Sequence, residues 1–148
     1  MIPFGNLERL KMIESYGSNA IANAAIEPLE IWESPSLIPY LIHLEHPEFA
    51  SLCPRSGYPD SGTIVIDYIP HEFTVELKAI KLYINSFRNE KISHEGVINA
   101  IADKFFRDVK PRSLRVIGDF MRRGGVKTVI TVQRGDRHDF ASHQANAL

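Results

Sequence analysis

Cysteine is nearly absent from this chain: one thiol, Cys53, occurs in 148 residues. A single cysteine excludes an internal disulfide framework and the thiolate-rich zinc sites, which need several cysteines at defined spacing. Long hydrophobic runs are missing too. No apolar stretch approaches the ~20 residues of a membrane helix, and the opening residues lack the basic-then-apolar pattern of a secretory signal, so a soluble, cytoplasmic protein is expected. Neither sign of charge dominates, with 17 Lys and Arg against 18 Asp and Glu. That balance argues against a nucleic-acid partner, because binding to backbone phosphates draws on a surplus of cations. No G-x-G-x-x-G is present, which leaves a Rossmann cofactor site without support. The histidines His43, His46, His71, His94, His138 and His143 include no H-x-x-x-H pair, and no metal site is expected.

What is present fits one domain with two flanking segments. At 148 residues the chain is long enough for one core. Residues 1–39 carry Pro3, Pro28, Pro35 and Pro39 and no clean apolar period, which predicts a loosely structured N-terminal arm with one short helix around residues 6–16. The catalytic domain is expected over 40–133. Residues 134–148 lack an apolar period and read as a frayed tail. Within the domain, residues 40–49 and 62–69 alternate apolar and polar, as strands do, on either side of a Pro- and Gly-punctuated loop that holds Cys53.

Two helices are expected next. Over residues 75–87, Ile80, Tyr83, Ile84 and Phe87 recur on one face, with Lys78, Lys81, Asn85 and Arg88 opposite. Leu82 falls near the lysine side, which suggests that this side is covered by another subunit. Ser93 is a good N-cap for a second helix that buries Ile98, Ile101, Ala102 and Phe105 and stops before Pro111. Strands over 113–120 and 126–132 follow, joined through Gly124-Gly125, a hairpin signal. The order is β-β-α-α-β-β, an α+β fold with an antiparallel sheet and two helices on one face. Such a half-covered sheet must bury its remaining face or its edges, most simply by symmetric oligomerisation.

Several residues can carry chemistry. A lone cysteine is often a small buried hydrophobe, but the setting of Cys53 between Pro54, Gly57 and Pro59 is that of a surface loop, and Arg55 or a nearby lysine would favour its thiolate. Asp60 can donate a proton or simply form a turn in Pro59-Asp60-Ser61-Gly62. His94 and Glu95 open the second helix, where a carboxylate either complements the helix dipole or accepts two N–H groups from a guanine-like edge. Both side chains are expected to flank the inward face. Arg122 and Arg123 beside Gly124-Gly125 either solubilise a hairpin tip or bind phosphate together with Lys78 and Lys81.

The octet Glu76-Leu77-Lys78-Ala79-Ile80-Lys81-Leu82-Tyr83 resembles, at every position, the E-(S/L)-K-(S/A)-h-K-(L/Y)-(Y/F/W) motif of the NADPH-dependent 7-cyano-7-deazaguanine reductases of queuosine biosynthesis. The likeness extends from Pro47-Glu48-Phe49 to Arg123-Gly124-Gly125, in the short single-domain form of that family. It implies a tunnelling fold (T-fold) whose protomers join sheets into barrels, with active sites between subunits of a homo-oligomer, a decamer of two pentamers. It also implies that Cys53 is the nucleophile, Asp60 the general acid, Glu95 the purine anchor, and His94 a neighbouring substrate contact. Glu76 is the next candidate for the anchor. Lys78, Lys81 and Arg123 are the implied contacts to NADPH. The implied reaction reduces the nitrile of 7-cyano-7-deazaguanine to an aminomethyl group through a thioimide on Cys53. A GTP cyclohydrolase-like T-fold enzyme and a non-catalytic purine-binding oligomer are the competing readings.

Overall fold

The computed structural model describes residues 18–141. The helix expected around residues 6–16 lies outside them. The described elements, in order, are α1 (Ser18–Ile26), β1 (Ile31–Glu33), β2 (Ile42–Leu52), β3 (Pro59–Ile69), β4 (Phe73–Val75), α2 (Leu77–Asn85), α3 (His94–Val109), β5 (Ser113–Phe120) and β6 (Val129–Gly135). Strands β2-β3-β5-β6 form an antiparallel sheet in that order, as the sequence predicts. Its register sets Ile66 opposite Leu44 on one side and Val116 on the other, so the period-two apolar residues share a face.

Helices α2 and α3 cover that face. Phe49, Ile64, Ile66, Tyr68, Leu114, Val116 and Phe120 from the sheet meet Val97, Ile98, Ile101 and Phe105 of α3, all at 1% exposure or less. Truncating one of these isoleucines to Ala would cost about 2–5 kcal/mol, because so dense a core collapses only partly around a void. Glu76 starts α2 by accepting hydrogen bonds from the Lys78 and Ala79 N–H groups at 3.0 and 2.7 Å. Ser93 starts α3 in the same way, accepting from the Gly96 N–H at 3.0 Å. Lys110, at φ 53°, ends α3 with its N–H on the Phe106 carbonyl, directly before Pro111.

Three regions differ from the sequence reading. The second half of the arm is docked: Asp108 of α3 accepts the Leu29 N–H at 3.0 Å, Lys104 Nζ donates to the Glu27 carbonyl at 2.6 Å, and β1 pairs with β4. These partners are distant in sequence, so no local period announces them. The same docking places α1 over Leu82, where both line a cavity of about 290 Å³. Helix α1 thus lies over the part of α2 that carries Lys78 and Leu82. In the hairpin, Gly124 and Gly125 adopt φ 56° and 82° between Arg123 and Val126, which exchange two backbone hydrogen bonds. Positive φ at both central positions defines a turn that glycine makes without strain. Beyond this turn the Phe120 N–H donates to the Thr128 carbonyl at 3.1 Å and the regular ladder begins where Val129 meets Asp119, so β6 runs later than expected and ends at Gly135. Phe140, 2% exposed, then packs under the Arg115 guanidinium at 5.2 Å, and the segment to that point is not frayed.

The opposite face of the sheet carries a buried charge cluster. Arg115 Nη2 donates to Asp67 Oδ2 at 2.8 Å, and His43 Nδ1 lies 2.5 Å from Asp67 Oδ1. Burial opposes charge on His43, but the hydrogen bonds to Asp67 and Glu45 outweigh it and raise its pKa.

Candidate active site

Cys53 follows directly on β2, and β3 begins six residues later. The connection is a single tight turn: the Gly57 N–H donates to the Cys53 carbonyl at 2.8 Å, and the Cys53 N–H donates to the Tyr58 carbonyl at 2.8 Å. Gly57 closes the turn at φ 70°, a conformation that would strain most other side chains. Hydrogen bonding by the Ser56 side chain and by the backbone of Ser56 and Arg55, together with the positive charge of Arg123, lowers the Cys53 thiol pKa to about 7 against a small opposing effect of burial. At neutral pH a large fraction of Cys53 is therefore thiolate. The thiol itself is half-exposed.

Asp60 lies in β3, 7% exposed, opposite Ser51 of β2. Its two oxygens face different partners. Arg123 Nη1 donates to Oδ1 at 2.7 Å, while His94 Nε2 lies 3.3 Å from Oδ2. His94 is held in place by stacking on Phe120, with ring centroids 3.9 Å apart and planes 12° from parallel. The other end of the same guanidinium, Nη2, donates to Ser56 Oγ at 3.0 Å, and its face lies 5.7 Å from the Tyr58 ring centre. One arginine thus spans the acid and the turn that holds the thiol.

The structure brings together Cys53, Asp60, His94 and Arg123. It places the remaining candidates elsewhere on the protomer. Glu95 is exposed on the first turn of α3 and does not point inward as expected. The reason is helical geometry: His94 is the residue drawn onto Phe120, and its neighbour lies about 100° further round the helix. Glu76 uses both carboxylate oxygens to cap α2. Lys78 lines the cavity shared with α1, and Lys81 lines a separate one beside His46 and Ile64. Arg123 sits with Asp60 and Ser56 rather than beside these lysines.

Two serines near Cys53 and Asp60 are not singled out by the sequence. Ser56 stands three residues after Cys53, the spacing that returns a side chain to the start of a helical turn, and that spacing was its available signal. Ser51 is fully buried with no hydrogen-bond partner for its hydroxyl. Nothing in its strand pattern distinguishes it.

Residues 59–139 match the family described as QueF-like protein. The chain belongs to this family. A QueF-like relative from Nitratiruptor sp., named NADPH-dependent 7-cyano-7-deazaguanine reductase, is 52% identical over 104 residues, covering 70% of this chain and 79% of its own. Proteins of the same name from Campylobacter jejuni and Sulfurimonas denitrificans are each 48% identical, cover 78% and 79% of this chain, and are themselves covered to 91% and 94%. Among solved structures, the apo form of the archaeosine synthase QueF-Like matches with a TM-score of 0.63 at 25% identity, over 72% of this chain and 100% of that one. The α+β protomer is thus a T-fold of the QueF-like family.

Proposed function

We propose that this protein is an NADPH-dependent oxidoreductase that reduces the nitrile of 7-cyano-7-deazaguanine to the aminomethyl group of 7-aminomethyl-7-deazaguanine, a cytoplasmic step toward queuosine in tRNA. The relatives' shared name supports the substrate and cofactor. The observation that carries the chemistry is Arg123 bridging Asp60 and the turn of a thiol whose pKa is about 7. A nitrile carbon accepts a soft anionic nucleophile, and Cys53 supplies one at neutral pH. As the carbon–sulfur bond forms, Asp60 gives a proton to the nitrile nitrogen, producing a thioimide on Cys53. Asp60 Oδ2 faces His94, which offers a route for returning a proton to it.

Lys78 and Lys81, one turn apart on α2, form a cationic pair that suits the phosphates of a dinucleotide. NADPH, when bound, supplies hydride twice, so that one nitrile, two NADPH and two protons give one primary amine and two NADP⁺. After the first hydride arrives, Cys53 leaves as thiolate, and a closed site then keeps the resulting imine from water. Glu95 reads the guanine-like edge of the substrate from the surface of its own protomer, which supports a site completed by a neighbouring subunit. Tyr58, Met121, Val126 and Val129, all more than half exposed around the Cys53 turn and the hairpin that carries Arg123, offer the apolar cover such a neighbour would need. The proposed assembly is the family's decamer of two pentamers.

Intact-protein mass after mixing with the nitrile, without NADPH, tests the reading. An adduct on the parent chain that is absent from Cys53→Ala, together with oxidation of two NADPH per nitrile in the full reaction, is the expected result. No adduct and no NADPH oxidation would leave a purine binder. Stoichiometric zinc with GTP turnover would instead point to a cyclohydrolase.

A further inference from the structure

Ser51 is completely buried, and its hydroxyl has no hydrogen-bond partner among the described residues. A hydroxyl sealed from water and left unpaired lowers the stability of a fold, so its presence calls for a reason outside the resting structure. Its neighbours supply one. The register sets Ser51 of β2 directly opposite Asp60 of β3, and both side chains stand on the helix side of the sheet with Phe49. The Cβ atoms of such a pair are about 4.5–5.5 Å apart, and a hydroxyl and a carboxylate each reach beyond Cβ, so rotation about the serine Cα–Cβ bond closes the gap. Cys53, two residues further along, is about 6–7 Å away in the strand direction. The backbone next to Ser51 is clamped: the Leu52 N–H donates to the Glu90 carbonyl at 2.9 Å, and the Leu52 carbonyl accepts the Ile92 N–H at 3.1 Å. Only the side chain is free to turn.

Asp60 has unused capacity to accept. Arg123 Nη1 donates to Oδ1 at 2.7 Å, whereas His94 Nε2, 3.3 Å from Oδ2, is not aligned for a hydrogen bond. A carboxylate has about four acceptor positions. We infer that Ser51 is a positioning residue of the acid: its hydroxyl turns to Asp60 and donates to the carboxylate left when the acid's proton passes to the substrate nitrogen. This rests on the proposed nitrile addition, in which the carbon–sulfur bond forms, one π bond of the nitrile breaks, and the proton moves from Asp60 to nitrogen. Ser51 gives up no proton in this step. It supplies a hydrogen bond that the resting protein leaves unmade and that a buried, newly charged carboxylate gains in full, so it favours the transition state without binding substrate.

The experiment uses the full chain with Ser51→Ala. Alanine fills nearly the same space and removes only an unpaired group, so Tm should equal or exceed that of the parent. The nitrile adduct, followed by intact mass without NADPH, should form about tenfold more slowly at pH 7, the worth of one hydrogen bond to a charged group. KM for NADPH should be unchanged. Iodoacetamide provides the contrast, because alkylating the sole cysteine needs a thiolate but no acid, and its rate should stay parental. Nitrile and iodoacetamide rates that fall together would mean that Ser51 serves the thiol, and a nitrile rate that falls only with a loss of Tm would make it a structural residue; either result overturns the inference. The two readings fail separately. A parent that forms no adduct and oxidises no NADPH would sink the proposed reaction, whereas a Ser51→Ala chain that forms the adduct as fast as an active parent would sink only the role of Ser51.

Discussion

Arg123 is the residue whose position most changes how the site is understood. Sequence spacing groups it with Lys78 and Lys81 as a phosphate contact, yet its two terminal nitrogens bond Asp60 and Ser56. The two placements predict different kinetics. Lys78→Ala and Lys81→Ala should each raise KM for NADPH about tenfold, the worth of one exposed charge-assisted contact, while leaving nitrile adduct formation intact. Arg123→Ala should also slow the adduct itself, since Asp60 and Ser56 lose a shared donor. Stopped-flow adduct formation beside steady-state KM separates them, and an adduct rate untouched in Arg123→Ala would return the arginine to a purely cofactor role. Residue types were legible in the sequence, because a thiol and a carboxylate in a Pro/Gly-rich connection already mark chemistry. Their partners were not. The bonds from Arg123 to Asp60 and from Lys104 to Glu27 join residues 63 and 77 positions apart, and such closure depends on sheet order, which a local pattern does not encode.

The elements legible in the sequence are those with long apolar periods. β3, α3 and β5 each repeat their buried positions over eight residues or more, and α3 starts at the predicted cap, Ser93. The three-residue strands β1 and β4 are too short to show alternation, and α1, with sequence SNAIANAAI, carries mostly alanine where a stripe of larger apolar residues would reveal a buried face. Its attachment depends on Asp108, whose pKa is lowered because the Leu29 N–H, Arg107 and Lys104 together outweigh the opposing cost of burial. Asp108→Ala should remove that tether and leave the Leu29 N–H without its partner, at about 1–3 kcal/mol. Hydrogen exchange should then quicken by about tenfold or more over residues 20–33 while β3 and β5 keep their protection. Uniform loss across the sheet would mean that the arm is part of the cooperative core instead.

At the scale of the whole molecule, β2 and β6 each have one strand neighbour, so the described sheet ends in two edges. A bulge between His46 and Phe49 interrupts the β2 edge, a device that discourages indiscriminate pairing while leaving a shaped match possible. If neighbours complete one another's sites, a Cys53→Ala chain co-expressed with a Lys78→Ala/Lys81→Ala chain should regain about a quarter of parental activity, because a random mixture places an intact thiol beside an intact lysine pair at one site in four. No recovery in mixed particles of parental mass would confine each site to one protomer. The hairpin that delivers Arg123 has a consequence for the chain before it is native. Cys53 and Asp60 are brought close by a local β2–β3 connection, but the guanidinium arrives only after β5 has paired with β3 across an intervening pair of helices. Until then the thiol has the hydrogen bonds of its own turn but not the charge of Arg123. During refolding at neutral pH its reactivity should therefore rise in two steps, a larger one when the turn closes and a smaller one when the last strands of the sheet have found their places.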